Sequence, residues 1–105
     1  MLKSVSAAVS AALVALGAPA LATGDAKAAN CAATAGIVSE AIAQRRADAS
    51  MQDAVDFLRS DAAGVDDRYD QTIPVLVEWV YSLEPVQLTP DAAVAFEQQC
   101  LDYDG

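Results

Sequence analysis

The sequence contains no histidine and is poor in cationic, aromatic and cysteine side chains. It has six Lys and Arg against 15 Asp and Glu, with one Trp, three Tyr, two Phe and two Cys. The missing histidine removes the commonest general base and every His-containing catalytic triad. The remaining residues form no glycine-rich phosphate loop and no nucleophile with an adjacent activating base. We therefore expect a protein that is not an enzyme and that uses no cofactor.

Apolar residues are unevenly distributed along the chain. Residues 1–22 contain 16 of them and a single charge, at Lys3. This segment has the order of a secretory signal peptide, because a positive start is followed by an apolar stretch, by the helix breakers Gly17 and Pro19, and by a small-x-small sequence that ends at Ala22. The uncharged run is too short and too alanine-rich to span a bilayer comfortably. We expect cleavage after Ala22 and an exported protein, periplasmic or secreted, without membrane contact.

The mature chain is strongly acidic. It retains 5 basic and 15 acidic residues, which gives a net charge of −10. Nucleic acids and anionic lipids bind to cationic surfaces, so this charge argues against both as partners. It permits a cationic protein partner, and it specifies no oligomeric state.

The two cysteines lie near the two ends of the mature chain, at Cys31 and Cys100. Exported proteins fold in an oxidising environment, so we expect these residues to form one structural disulfide. A redox role is the alternative, but the sequence has no C-x-x-C pair and no basic neighbour that would lower a thiol pKa. The core needs such a link, since only 25 of the 41 apolar residues after residue 22 are larger than alanine.

Residues 23–30 contain no large apolar side chain, and we expect a flexible leader there, ahead of a single helical domain over 31–105. The first predicted helix ends at about Arg46. Arg45 and Arg46 lie in its last turn, where cations favour the negative end of the helix dipole. Its apolar residues recur at helical spacing and are Cys31, Ala35, Ile37, Val38, Ala41 and Ile42.

Ser50 and Asp53 form an S-x-x-D start signal for a second helix. Gly64 is placed to end this helix in the left-handed conformation. The predicted apolar stripe consists of Met51, Ala54, Val55, Leu58 and Ala62.

The third segment is the most apolar, so we expect it to be the central helix. Two alternatives remain open. The run Ile73–Val80 is rich in β-branched residues and could form a strand. Pro74 lies either in the first turn behind a Thr72 cap or at a kink in a helix that begins near Asp67. Pro85 ends the segment, and its predicted core residues are Tyr69, Ile73, Leu76, Val77 and Val80.

The fourth segment begins with Thr89-Pro90-Asp91, which combines a hydroxyl cap, a proline at the first helical position and a carboxylate in the first turn. Ala93, Phe96 and Cys100 share one face, with Tyr103 near its end. The sequence therefore predicts an all-α fold. We expect a small four-helix bundle, with three long helices and one kinked or short helix, stapled by the disulfide.

Two groups of side chains are candidate sites. Acidic residues cluster before the third helix, but their spacing differs from that of an EF-hand loop, so we expect a solvated turn, with calcium binding as the alternative. Exposed aromatic residues can anchor a protein partner, although aromatic residues of the third helix could equally fill the core, with Trp79 the most exposed. The calcium candidates are Asp61, Asp66, Asp67 and Asp70, and the partner-binding candidates are Trp79 and Tyr81.

The segment from Cys31 to Cys100 resembles a recurring type of small exported two-cysteine helical bacterial protein of uncharacterised function. This resemblance implies a helical fold and no activity. A looser similarity, to the small periplasmic acid-stress chaperones of enteric bacteria, implies a helical protein with one disulfide. The features shared with the small exported two-cysteine type are Cys31 at the start of the first helix, Arg45-Arg46 near its end, the run Val77-Glu78-Trp79-Val80-Tyr81 followed by Pro85, and a threonine-capped last helix with Phe96 and Cys100.

These observations favour an exported, acidic protein-interaction or inhibitor module without catalysis. The first alternative is an acid-activated periplasmic chaperone, because protonation of the 15 carboxylates would move the mature chain from −10 toward +5 and could loosen the bundle. The second alternative is a calcium-binding protein that uses the turn from Asp61 to Asp70.

Overall fold

A computed structural model of the chain describes the backbone of residues 5–103 and the side chains of residues 24–103. Residues 5–103 form four α-helices and three short 3₁₀ turns, without a strand in that range. The predicted all-α class is therefore confirmed. The α-helices are α1 (Val5–Arg46), α2 (Met51–Arg59), α3 (Thr72–Ser82) and α4 (Pro90–Asp102), and the 3₁₀ turns are Asp61–Ala63, Asp67–Tyr69 and Pro85–Gln87.

The helix lengths differ from the expected three long helices and one kinked or short helix. α1 has 42 residues, whereas α2, α3 and α4 have 9, 11 and 13. The predicted signal peptide, residues 1–22, lies outside the part of the chain whose side chains are described, and its cleavage stays a prediction. Within the described residues, no helix combines the length and apolarity that crossing a bilayer requires.

The segment predicted as a flexible leader is helical instead, because α1 continues through residues 23–30. Its alanines and Lys27 have high helix propensity, so the helix needs no large apolar residue to continue. Two tertiary contacts also hold this segment. Lys27 Nζ donates to the Tyr103 carbonyl oxygen at 2.6 Å, and the Tyr69 hydroxyl donates to Asn30 Oδ1 at 2.7 Å.

The sequence predicts α3 as the central helix, and this prediction is wrong, because the central helix is α1. α2, α3 and α4 all pack on α1, and α2 also packs on α3, but α3 and α4 are not packed directly along their backbones. A long helix has enough surface to contact three short neighbours, whereas α3 buries one face and leaves Val75 and Trp79 exposed. All six predicted core residues of α1 are buried: Cys31, Ala35, Ile37, Val38, Ala41 and Ile42.

The predicted core face of α3 is also confirmed, and the strand alternative for Ile73–Val80 is wrong, since that run lies inside the helix. Pro74 is the third helical residue, in the first turn, where a backbone N–H has no partner within the helix and its loss costs little. Thr72 is the first helical residue and not the cap, which is Gln71. The buried residues of the face are Tyr69, Ile73, Leu76, Val77 and Val80.

Arg45 has a role beyond its own helix dipole. Its Nη1 atom donates to the carbonyl oxygens of Val80 at 2.8 Å and Leu83 at 2.5 Å, in the last turn of α3 and at its C-cap. A cation at this position also favours the negative end of the α3 dipole. The last turn of α1 therefore caps the C-terminus of α3.

The start of α2 follows the prediction, since Ser50 Oγ accepts a hydrogen bond from the Asp53 amide at 3.0 Å. The prediction is wrong at the two ends of the apolar stripe, where Met51 and Ala62 are exposed. α2 stops at Arg59, where Ser60 turns outward and its hydroxyl donates to the Phe57 carbonyl at 2.5 Å. The stripe keeps its central residues, and the buried ones are Ala54, Val55 and Leu58.

The Cys31–Cys100 disulfide is confirmed, with the two Cα atoms 5.6 Å apart. It joins α1 to α4 across a sequence separation of 69 residues. α4 begins at Pro90 behind an extended Thr89, whose side chain makes no capping hydrogen bond. Ala93 is the buried residue of α4, and Tyr103, which follows the end of the helix, is 70% exposed. The disulfide thus contributes much of the attachment of α4.

Two residues have a left-handed backbone, and one of them is not glycine. Asp48 has φ of 65°, and it lies at the end of α1, where its amide donates to the Arg45 carbonyl and the Ala49 amide donates to the Gln44 carbonyl. This pair of bonds is the Schellman ending, which favours glycine. Gly64 has φ of 70° and ends the first 3₁₀ turn, one element later than predicted.

We predict that Asp48→Gly raises the free energy of unfolding by about 0.5–1 kcal/mol, because glycine removes the steric cost of the left-handed conformation. Gly64→Ala is the matched control. Its new Cβ meets nothing within 4 Å, so the backbone alone should lower stability by about 1 kcal/mol. In thermal unfolding, each change corresponds to a shift of several degrees, of opposite sign. A shift of the same sign in both variants would contradict this assignment of the turns.

Candidate partner-binding surface

The four aspartates proposed as a calcium site are not brought together. Asp66 accepts a hydrogen bond from the Arg68 amide at 2.9 Å, and Arg59 Nη2 donates to the Asp70 carbonyl at 2.8 Å. Among residues 24–103, no three Asp, Glu, His or Cys side chains are grouped so that they could hold one metal ion. The Asp66 side chain instead caps the 3₁₀ turn Asp67–Tyr69, and the geometry gives the calcium hypothesis no support.

A cavity of about 380 Å³ lies between α1 and this turn. Its volume falls in the range of small-molecule sites, and its apolar wall includes Ile37, Leu58 and Tyr69. Its charged residues, Glu40, Asp66 and Arg68, are all exposed. The cavity therefore lacks the buried polar groups that orient a small ligand or a reacting atom.

Tyr81 and Trp79, the predicted anchor residues, lie in different surroundings. The Tyr81 hydroxyl donates to the Ala49 carbonyl at 2.7 Å, and the Arg45 guanidinium lies 5.8 Å from its ring centroid. Burial raises the pKa of the Tyr81 phenol above 10.0; Arg45 opposes this shift and Asp53 adds to it. Tyr81 thus fixes the loop between α1 and α2, and its hydroxyl is committed to that contact.

Trp79 is 39% exposed and leans toward α4. Its ring centroid lies 5.8 Å from that of Phe96, with the planes inclined by 41°, an arrangement in the favourable range for aromatic pairs. This pair bridges two helices whose backbones are not packed together. The resulting open groove, which we call the Trp79 groove, has a volume of about 190 Å³ and is lined by Trp79, Leu83, Gln87, Ala92, Ala95, Phe96 and Gln99.

More apolar surface adjoins the groove. Val75 precedes Trp79 by one helical turn and is 64% exposed, so the two side chains lie along the same side of α3. The sequence indicates Trp79 as an exposed anchor and places Phe96 on the core-facing stripe of α4. In the structure the Phe96 side chain is only partly buried. The pairing of these two rings depends on how far α3 and α4 stand apart on α1, for which the sequence offers no local signal.

The groove is formed by a part of the chain that contains no cation. Arg68 is the last basic residue, and residues 69–105 contain seven acidic ones. The earlier cations Lys27, Arg45 and Arg59 donate to backbone carbonyls at the ends of helices and turns. The acidic residues after Arg68 are Asp70, Glu78, Glu84, Asp91, Glu97, Asp102 and Asp104.

Three of these acids flank the groove. At 100° per residue, Glu78 lies on the solvent side of Trp79 on α3. Asp91 precedes Ala95 by one turn and Asp102 follows Gln99 by one turn, which puts both on the solvent side of α4. All three side chains are exposed. The groove is therefore apolar in the middle and negative along both edges.

Comparison with known proteins adds no assignment: no family model, no curated protein and no solved structure matches the chain. The resemblance to small exported two-cysteine proteins and to acid-stress chaperones stays a prediction. The described core contains no polar or charged side chain, so protonation of carboxylates would act at the surface. This arrangement offers no specific support for acid activation.

We predict that Tyr81→Phe lowers the free energy of unfolding by about 1 kcal/mol at neutral pH, because the bond to Ala49 is lost. The folded pKa of Tyr81 is raised, so its contribution is complete below pH 10 and is lost as the pH rises through the folded pKa. The stability difference between the native chain and the variant should therefore shrink above pH 10. Urea unfolding at pH 7 and above pH 10 measures it, and a difference that grows with pH would contradict the assignment. Tyr103→Phe, at the 70% exposed position, is the control.

Proposed function

We propose that the chain is an exported protein-interaction or inhibitor module without catalytic activity, which binds a cationic protein partner in the periplasm or outside the cell. The observation that carries this proposal is the segregation of charge. Residues 69–105 contain seven acids and no base, and they form α3 and α4. A surface with one sign of charge steers and selects partners of the opposite sign.

Two further features support the export part of the proposal. The first 22 residues have the order of a signal peptide, and a Cys31–Cys100 disulfide persists in oxidising compartments. The surface chemistry supports a macromolecular partner, because the cavity beside α1 has no buried polar group to orient a small molecule, whereas the Trp79 groove has an exposed aromatic anchor.

The test is retention of proteins from a periplasmic extract by the immobilised mature chain, residues 23–105. We expect basic proteins to be retained at low ionic strength and to be released near 0.15 M salt and above, where the Debye length falls to about 8 Å. Neutralising the edges of the groove, with Glu78→Gln, Asp91→Asn and Asp102→Asn, should abolish retention.

The matched control removes three negative charges from exposed positions on α1 and α2, with Asp25→Asn, Glu40→Gln and Asp56→Asn. This variant has the same net charge and should retain the partner. Failure of the native chain to retain any basic protein at low salt would contradict the proposed function. Equal loss in both variants would show that net charge, and not the α3–α4 face, is what binds.

A further inference from the structure

The Trp79 groove, of about 190 Å³, can take one or two apolar side chains of a partner that lies along α3 and α4. Its walls are α3, with 11 residues, and α4, with 13. At 1.5 Å per residue these helices are about 16 and 20 Å long, so a partner helix of about 12–14 residues matches their length. The two walls are not closely packed along their backbones, and Trp79 reaches across to Phe96. An apolar side chain that packs beside this pair would complete a contact that α3 and α4 leave open.

The backbone around the groove restricts how a partner can bind. Peptides that bind in extended form usually add a strand to an open sheet edge, and residues 5–103 contain no strand. An amphipathic helix needs only an apolar strip between two helices, which the groove supplies. The observations thus favour a helical occupant.

Charge identifies the kind of helix. Glu78 on one edge of the groove, and Asp91 and Asp102 on the other, would face residues on the flanks of a bound helix. A second copy of this chain would bring the same acids to the contact, at a net charge of −10 for each mature chain. Repulsion between the acidic groups of two copies disfavours self-association, whereas Lys or Arg on the flanks of a partner helix would be complementary to these acids.

We propose that the Trp79 groove binds a short basic amphipathic helix of a protein partner. The inference rests on the proposed function and names its site and the chemistry of the partner. One apolar side chain of that helix packs against Trp79 and Phe96, and its flanking cations lie near Glu78, Asp91 and Asp102. Buried aromatic anchors dominate the affinity of such interfaces, so Trp79 is the residue on which affinity should depend most.

The experiment uses the mature disulfide-bonded chain and a synthetic Leu/Lys amphipathic peptide of about 14 residues. Trp79 is the one tryptophan of the chain, so its fluorescence reports directly on the groove. We expect a saturable change in Trp79 emission and a gain in peptide helicity by circular dichroism. A peptide with Leu replaced by Ser, at the same charge, should bind at least about tenfold more weakly. Equal binding of both peptides would overturn the proposal.

Variants of the protein separate the groove from general charge attraction, with a labelled peptide as the reporter. Trp79→Ala should weaken binding about tenfold or more, and Met51→Ala, at a position of similar exposure on α2, should leave it unchanged. Ala95→Lys is a second test at an exposed position, so it should fold normally, and its cation should repel the basic peptide.

The outcomes distinguish this inference from the proposed function. If Trp79→Ala and Ala95→Lys bind the peptide as the native chain does, while loss of Glu78, Asp91 and Asp102 weakens binding, the groove is not the site and the acidic module stands. If neither the peptide nor any basic protein binds, both proposals fail. Self-association through the groove, seen as a dimer by sedimentation that Ala95→Lys dissociates, would overturn the inference in favour of a second copy.

Discussion

The disulfide between Cys31 and Cys100 joins the last helix, α4, to the long helix α1 that all the other helices contact. α4 contributes Ala93 to the fully buried core, with Ala92 and Phe96 only partly covered, so apolar burial alone holds this helix weakly. Closing a loop of about 70 residues stabilises the native state by up to about 4 kcal/mol in the chain-entropy model. For a domain of this size, that contribution is comparable to the whole net stability. The disulfide thus reinforces the contact of α4 with α1, which is the most extensive helix–helix contact in residues 5–103.

The packing of the three short helices on α1 determines where apolar surface stays exposed. Because this helix contacts all three short helices, α3 and α4 are held side by side without close backbone packing, and Trp79 bridges the space to Phe96. Small residues such as Ala35 and Ala41 allow the neighbours to approach closely, and both are buried. The space left between α3 and α4 is what exposes Trp79 and Val75. The groove is therefore a product of how the core is arranged, with apolar surface left over where a fifth pair of helices would otherwise meet.

Much of the fold follows from the sequence, for identifiable reasons. The stripes of α1 and α3 are predicted correctly because their apolar residues recur with the helical period, and Ser50 and Pro90 mark helix starts through local hydrogen-bonding and dihedral preferences. The disulfide follows from two cysteines on core-facing positions. Other features depend on tertiary contacts. The helical state of residues 23–30 is supported by contacts with Tyr69 and Tyr103, and the capping role of Arg45 by the distant end of α3. The pairing of Trp79 with Phe96 has no local signal at all.

We expect the disulfide to hold α4, and with it one wall of the Trp79 groove, on a core whose other buried side chains all come from α1, α2, α3 and the turn at Tyr69. Native-state hydrogen exchange measures this contribution helix by helix, when the mature chain with its disulfide formed is compared with the same chain kept reduced. We expect that reduction removes the protection from exchange of the amides of α4, Pro90–Asp102. The amides in the buried turns of α1 and α3 around Val38 and Val77 should keep most of their protection. Protection of α4 that is unchanged on reduction would contradict the account, because it would show that packing alone holds this helix in place.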